Sequence, residues 1–150
     1  MIFGENMPFV SVTRLRLSSI KHLLPFMLYN FKATNQIKRS EGFLKGKLMI
    51  GRKLTFWTMT LWQDEQSMRK YRNTGAHLKA MPKLIKWSNE ASVVSWTQET
   101  NDLPSWQQAH KYLQEQGRPS KVNNPTKAHI TKQTDKPGDK NLLENELYPR

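Results

Sequence analysis

His77 is the residue in this sequence best placed to move a proton. It follows Thr74-Gly75, which breaks one amphipathic pattern and opens another, so the imidazole can point from a helix start into a cavity. A neutral imidazole there could draw a proton from a phenol or an activated carbon acid, leaving a carbanion to react with oxygen, or it could ligate iron. The bland alternative is a histidine hydrogen-bonded to backbone at the break. Thr58, Thr60 and Trp62 fall on one side of a strand and put hydroxyls beside an aromatic ring. Trp62, Tyr71, Trp87 and Trp96 could wall a pocket for a flat apolar ligand, although each taken singly also suits a core. Arg14 or Arg16 could hold a ligand carboxylate through a charge-assisted pair, unless the strand end leaves the core and both reach solvent.

The remaining residues point away from other chemistries. His22, His77, His110 and His129 make no i,i+4 pair and no HExxH, so a dedicated zinc or di-iron site is not expected. His110 lies four residues after Trp106 and reads as packed; His22 and His129 read as surface residues. There is no dinucleotide or Walker glycine loop and no nucleophile-elbow serine, and Asp64-Glu65 reads as a helix start. The absence of cysteine excludes disulfides, thiolate zinc and cysteine nucleophiles.

Periodicity gives the elements that must position these residues. Pro8 to Leu17 reads as a strand, with Val10, Val12, Arg14 and Arg16 on one side and Phe9, Ser11, Thr13 and Leu15 on the other. Ile20, Leu23, Leu24, Met27, Leu28 and Phe31 have the spacing of a helix packed on a sheet, with Pro25 at a kink or in its first turn. Phe43 to Ile50 sets Leu44, Leu48 and Ile50 against Lys45, Lys47 and Met49; Gly51-Arg52 turns the chain, and Lys53 to Trp62 returns antiparallel. Trp57, Met59 and Leu61 make the second strand's other side wholly apolar. Asp64 caps a helix containing Met68 and Tyr71; after the break, Ala76 to Trp87 carries Leu78, Met81, Leu84, Ile85 and Trp87, with a kink expected at Pro82. Ser92 to Gln98 is a short strand with Val94 and Trp96 on one side. This completes a β-α-β-β-α-β order, a ferredoxin-like α+β sheet. An extra helix, Asp102 to Gln116, carries Trp106, Ala109, His110 and Leu113 and stops at Gly117.

The 37% apolar content supports one core, so the chain divides into a flexible N-terminus (1–7), one domain (8–117) and a disordered basic tail (118–150). MIFGENMPFVSV lacks the basic start and apolar run of a secretory signal, and Leu23 to Leu28 is too short to span a bilayer, so a cytoplasmic protein without a transmembrane segment is expected. The net charge of +12 favours anionic partners, and ten of the cations against two acids fall in residues 1–63. A solvated basic face is the commoner explanation of such a surplus, ahead of contact with nucleic acid, an acidic membrane surface or an anionic small molecule. Contact with nucleic acid or an anionic membrane surface through the basic half and the Lys-rich tail ranks last, because the tryptophans that could stack on bases also belong to the core pattern.

The segments TFWTMTLWQDEQSMRKYRNTGAHLKAMPKLIKW and EASVVSWTQE resemble a bacterial family of unknown function in the dimeric α/β-barrel superfamily. The likeness runs from about Pro8 to Arg118 and is sharpest at Trp57-Thr58, Leu61-Trp62, Gly75-Ala76-His77 and Met81-Pro82-Lys83-Leu84. That superfamily includes antibiotic-biosynthesis monooxygenases, haem-degrading monooxygenases and spheroidene monooxygenase. The resemblance implies a homodimer whose sheets pair across their open faces to form a barrel, with each protomer's pocket between sheet and helices. It implies a monooxygenase-like protein that acts on or binds a small hydrophobic or aromatic molecule, with no cofactor or with haem; the alternative is a non-catalytic ligand-binding or stress-related homodimer. His77 could match the iron-ligating histidine of haem-degrading members. Tyr71 stands where their helix Trp is expected, and no Asn occurs between Phe9 and Leu17, so their triad is not reproduced.

Overall fold

Alternating side chains along two central strands decide how this fold is layered. The structure, a computed structural model, describes residues 7–138 and 143–150. Six strands pair antiparallel: β1 (Phe9–Leu17), β2 (Phe43–Ile50), β3 (Thr55–Trp62), β4 (Ser88–Thr97), β5 (Arg118–Pro119) and β6 (Leu143–Leu147), in the order β5-β4-β1-β3-β2-β6. The helices are α1 (Leu23–Lys38), α2 (Glu65–Arg72), α3 (Gly75–Trp87), α4 (Trp106–Gln116) and α5 (Lys127–Thr131). Strands β1 to β4 with α1 to α3 are the ferredoxin-like α+β unit, and α4 is the extra helix. Residues 1–6 of the expected flexible N-terminus lie outside the described residues.

One face of the sheet is dry. Val10, Val12, Trp57, Met59, Leu61 and Val94 are buried against Trp106, Ala109 and Leu113 of α4. Burial of each large apolar side chain here contributes about 1.5–3 kcal/mol. Helix α4 starts at Trp106, four residues later than Asp102 suggested, because Ser105 is the cap and accepts from the Gln108 N–H at 3.1 Å. Pairing of two copies through this face, as the resemblance implies, would require α4 to move or to be exchanged.

Four expectations about the other elements are corrected. In α1 the residues turned inward are Phe26, Ala33 and Ile37, whereas Ile20, Leu24, Met27, Leu28 and Phe31 are exposed. The helix carries apolar residues on two sides, and spacing alone does not say which one meets the sheet. In α3 likewise, Leu78 and Met81 are exposed and Ala80 is buried. In β2 the pairing slips between Phe43 and Lys45, so Leu44 is an extra residue and packs with the Trp57 cluster instead of sharing a side with Leu48. The β2–β3 connection is a single helical turn, Arg52–Leu54, with Lys53 and Leu54 left-handed, so β3 begins at Thr55.

The segment after Arg118, expected to be disordered, pairs with both sheet edges in its described residues. Arg118–Pro119 adds to β4 and Leu143–Leu147 adds to β2. Backbone pairing, rather than a second apolar core, holds β6, helped by buried Leu147 and by a 2.8 Å hydrogen bond from Trp106 Nε1 to Glu144. Charge complements this, since Glu144 and Glu146 act on Lys47 of β2.

Arg14 does not reach bulk solvent, and the partly exposed Arg16 is tied to the same carboxylate. Arg14 is 3% exposed and donates to Glu90 Oε1 at 2.7 Å, Arg16 donates to Oε2 at 3.1 Å, and Thr126 donates to Oε2 at 2.8 Å. The Arg14 guanidinium lies 5.7 Å from the Trp57 ring centroid, on the dry face. Burial acts to raise the Glu90 carboxyl, but hydrogen bonds from Arg14, Thr126 and Arg16 outweigh it and hold the group below the usual range. Glu90 therefore stabilises the fold fully above an ordinary glutamate value of about 4.3, and the contribution is lost as pH falls through the lower folded value. Glu90→Gln leaves a buried cation without its partner and should cost about 3–5 kcal/mol in denaturant unfolding, a loss that Arg14→Met in the same chain should largely restore.

Candidate functional site

The opposite face of the sheet is hollow. Phe9, Ser11, Thr13 and Leu15 of β1 alternate with the dry set, and β3 presents Phe56, Thr58, Thr60 and Trp62 to the same side. Short hydroxyl side chains there do not fill the space beneath α1 and α3, leaving a cavity of about 420 Å³. Ser11, Thr13, Thr58, Thr60 and Ser95 form its floor, and Phe26, Tyr29, Phe56, Leu84 and Ile85 are among its apolar walls. Among the described residues no Asp or Glu lines it, while Arg72, Arg118 and Lys121 do. Such a space suits a flat, mostly apolar molecule with one oxygen function able to hold or shed negative charge.

His77 lies on this cavity at the break between α2 and α3. Gly75 makes the break with φ +64°, and a Cβ there would stand 2.9 Å from the Gln36 side-chain amide. Gln36 clamps the joint: its Nε2 donates to the Thr74 carbonyl at 2.8 Å and the Tyr71 carbonyl at 3.2 Å, and its Oε1 accepts from the His77 N–H at 3.3 Å. His77 Nδ1 is 3.2 Å from the Arg72 carbonyl oxygen. A carbonyl only accepts, so Nδ1 carries the proton and Nε2 keeps its lone pair. The backbone bond read from the sequence as the bland alternative is present, and it orients the ring. Burial lowers the His77 pKa, the Arg72 carbonyl bond opposes that and the Arg72 charge adds to it, so the group stays below the ordinary histidine value. The same bond would suit an iron ligand, since metal-ligating imidazoles usually donate their other N–H to a carbonyl or carboxylate.

Aromatic contacts tie His77 to the floor. Its ring is 5.3 Å from the Tyr71 ring, Tyr71 stacks on Trp62 at 5.5 Å, and Trp62 Nε1 donates to Thr60 Oγ1 at 2.9 Å. Burial raises the Tyr71 phenol far above its usual value and pushes Tyr29 up to about 12, so both stay neutral.

Of the residues singled out from sequence, His77, Thr58, Thr60 and Tyr71 come together on the cavity. Trp62 is fully buried behind Tyr71 rather than lining the space. Trp87 packs with Leu17, Phe26 and Phe56, and Trp96 stacks on Tyr112 on the far face, so neither forms a wall. Arg14 borders the cavity, but its guanidinium is engaged by Glu90, a carboxylate of the chain itself. Tyr29, Gln36 and Arg72 were not anticipated. Tyr29 sits three residues after Phe26 on the inward side of α1, a side hidden by the more apolar stripe opposite.

Residues 31–135, which include His77, Thr58, Thr60 and Tyr71, match the family described as a domain of unknown function, DUF3291. The chain belongs to that family. Among curated proteins, none matches it in sequence. Solved structures share the fold of this DUF3291 protein at low identity. A conserved protein from Methanosarcina mazei Go1 superimposes with a TM-score of 0.56 at 13% identity, over 65% of this chain and 99% of its own. SnoaB, a cofactor-independent oxygenase from Streptomyces nogalater, gives 0.53 at 17% identity over 66% of this chain and 99% of its own. A candidate antibiotic-biosynthesis monooxygenase from Nitrosomonas europaea gives 0.55 at 10% identity, over 68% and 100%. The DUF3291 chain thus shares the ferredoxin-like α+β fold of these proteins. None of its described helices is long and apolar enough to cross a membrane.

In an NMR titration, His77 should remain the Nδ1–H tautomer and titrate below the ordinary value of about 6.5. The unfolded chain then binds the proton more tightly, so stability is full above the unfolded value and declines as pH falls toward the folded one. Gln36→Ala should loosen the joint and move the His77 value upward; an unmoved value would remove Gln36 from this role.

Proposed function

We propose that the cavity binds a polycyclic, weakly acidic aromatic molecule and that His77 Nε2 is the base that starts its oxygenation without a metal or flavin. One observation carries this reading: a neutral imidazole with its tautomer set by the Arg72 carbonyl faces an apolar, hydroxyl-floored cavity that no carboxylate of the described residues lines. The fold shared with SnoaB, a cofactor-independent oxygenase, adds support.

The chemistry balances with dioxygen as the sole oxidant. Nε2 takes a proton from an activated methylene flanked by the conjugated ring system, and the carbanion passes its electrons to O2 to form a carbon–oxygen bond and a peroxide. Loss of the second C–H proton then breaks the O–O bond, leaving a carbonyl on the substrate and releasing water. Four electrons leave the substrate carbon, and no external reductant is needed. Thr58 and Thr60 would hydrogen-bond the substrate oxygens, neutral Tyr29 and Tyr71 would donate to developing negative charge, and Arg72 at the rim would stabilise the enolate.

Oxygen uptake in aerobic incubation with polycyclic phenols bearing an activated methylene tests the proposal. His77→Ala should lower kcat by about 10²- to 10⁴-fold while leaving the ligand Kd nearly unchanged. Bound ligand with no oxygen uptake by the native chain would instead assign a binding protein. A Soret band on adding haem, lost in His77→Ala, would move the role of His77 from base to iron ligand.

A further inference from the structure

Helix α1 carries a second apolar side that no described residue covers. Leu24, Leu28 and Phe31 follow one another at helical spacing and are 71%, 59% and 68% exposed, with Ile20 at 67% just before them. Helix α3 packs beside α1 on the same face of the sheet and adds exposed Leu78 and Met81. Seven of the ten large apolar side chains exposed among the described residues belong to this region, so the patch is not scatter.

Charge decides what the patch fits. From Ser18 to Arg39 and from Gly75 to Ser88 the sequence has no acidic residue. Lys21 and Lys32 flank the α1 stripe, and Lys79, Lys83 and Lys86 lie exposed on α3; among the described residues none of the five is in an ion pair. A second copy docked across a twofold axis would set these cations against themselves with no anion from either side. A nucleic acid would match the lysines and leave the leucines and Phe31 unmatched. An anionic lipid surface matches both, since the apolar stripe can sink to the acyl boundary while the lysines meet phosphate headgroups.

We propose that the outward side of α1 and α3 docks on an anionic membrane surface. Met81 belongs both to this side and to the cavity lining, so docking places the cavity next to the bilayer, where an apolar ligand concentrates. The docking does not depend on whether the cavity turns its ligand over.

Vesicle flotation of the full chain tests it, with phosphatidylcholine alone and with equimolar phosphatidylcholine and phosphatidylglycerol. The chain should float with the anionic vesicles only, and less as salt rises. Leu24→Ser with Phe31→Ser, and separately Lys79→Glu with Lys83→Glu, should each lower partitioning by about tenfold or more, with unchanged circular dichroism because all four residues are exposed. Absence of flotation, equal flotation with both vesicle types, or a solution dimer that the Leu24/Phe31 variant splits into monomers would each overturn the proposal, the last by assigning the face to a second copy.

Discussion

Strand alternation across β1 and β3 is the constraint on which this molecule rests. Thr13 pairs with Thr58 and Ser11 with Thr60 on one side of the sheet, while Val10, Val12, Met59 and Leu61 occupy the other. With a side-chain period of two, a slip of one residue would place Trp57 and Met59 in the cavity and the threonines under α4. Burial of Trp57 against Trp106 fixes the register, and the same register leaves a floor of short hydroxyls that helices cannot fill. The cavity is thus a consequence of how the core is packed, held open by a face already committed elsewhere.

The α2–α3 joint shows how a strained place is kept for a functional group. A continuous helix from Glu65 to Trp87 would leave the Arg72 carbonyl bonded within the helix and unable to receive Nδ1 of His77. Gly75, left-handed and pressed close to Gln36, interrupts it. The side-chain amide of Gln36 then takes up backbone groups that the interruption frees. The His77 tautomer follows from this accounting of hydrogen bonds.

What the sequence could and could not reveal follows from the range of each interaction. The sheet faces, the Asp64 cap, the break at Gly75 and the grouping of Thr58, Thr60, Tyr71 and His77 are local or periodic, and the residues state them directly. The inward side of α1 is not local: Phe26, Ala33 and Ile37 are a poorer stripe than Leu24, Leu28 and Phe31, and only the position of the sheet selects them. The Arg14–Glu90 pair spans 76 residues, and composition treats both ends as surface charges. Trp87 and Trp96 look like walls in the sequence because an aromatic residue announces burial without announcing which side of a sheet it is buried on.

The additions to the four-stranded unit explain how a single chain closes its own exposed parts. A ferredoxin-like sheet with helices on one side leaves the other side apolar and two strand edges unpaired, which is a template for association. Here α4 covers the apolar side, β5 extends the β4 edge and β6 pairs with β2. Helix α4 and β6 are tied to each other by the Trp106–Glu144 hydrogen bond, and the chain after β5 is tied to β4 by Thr126 and Glu90. Once the sheet is closed in this way, the outward side of α1 and α3 is the large apolar surface remaining among the described residues, and its surplus of lysine over acid limits what can cover it.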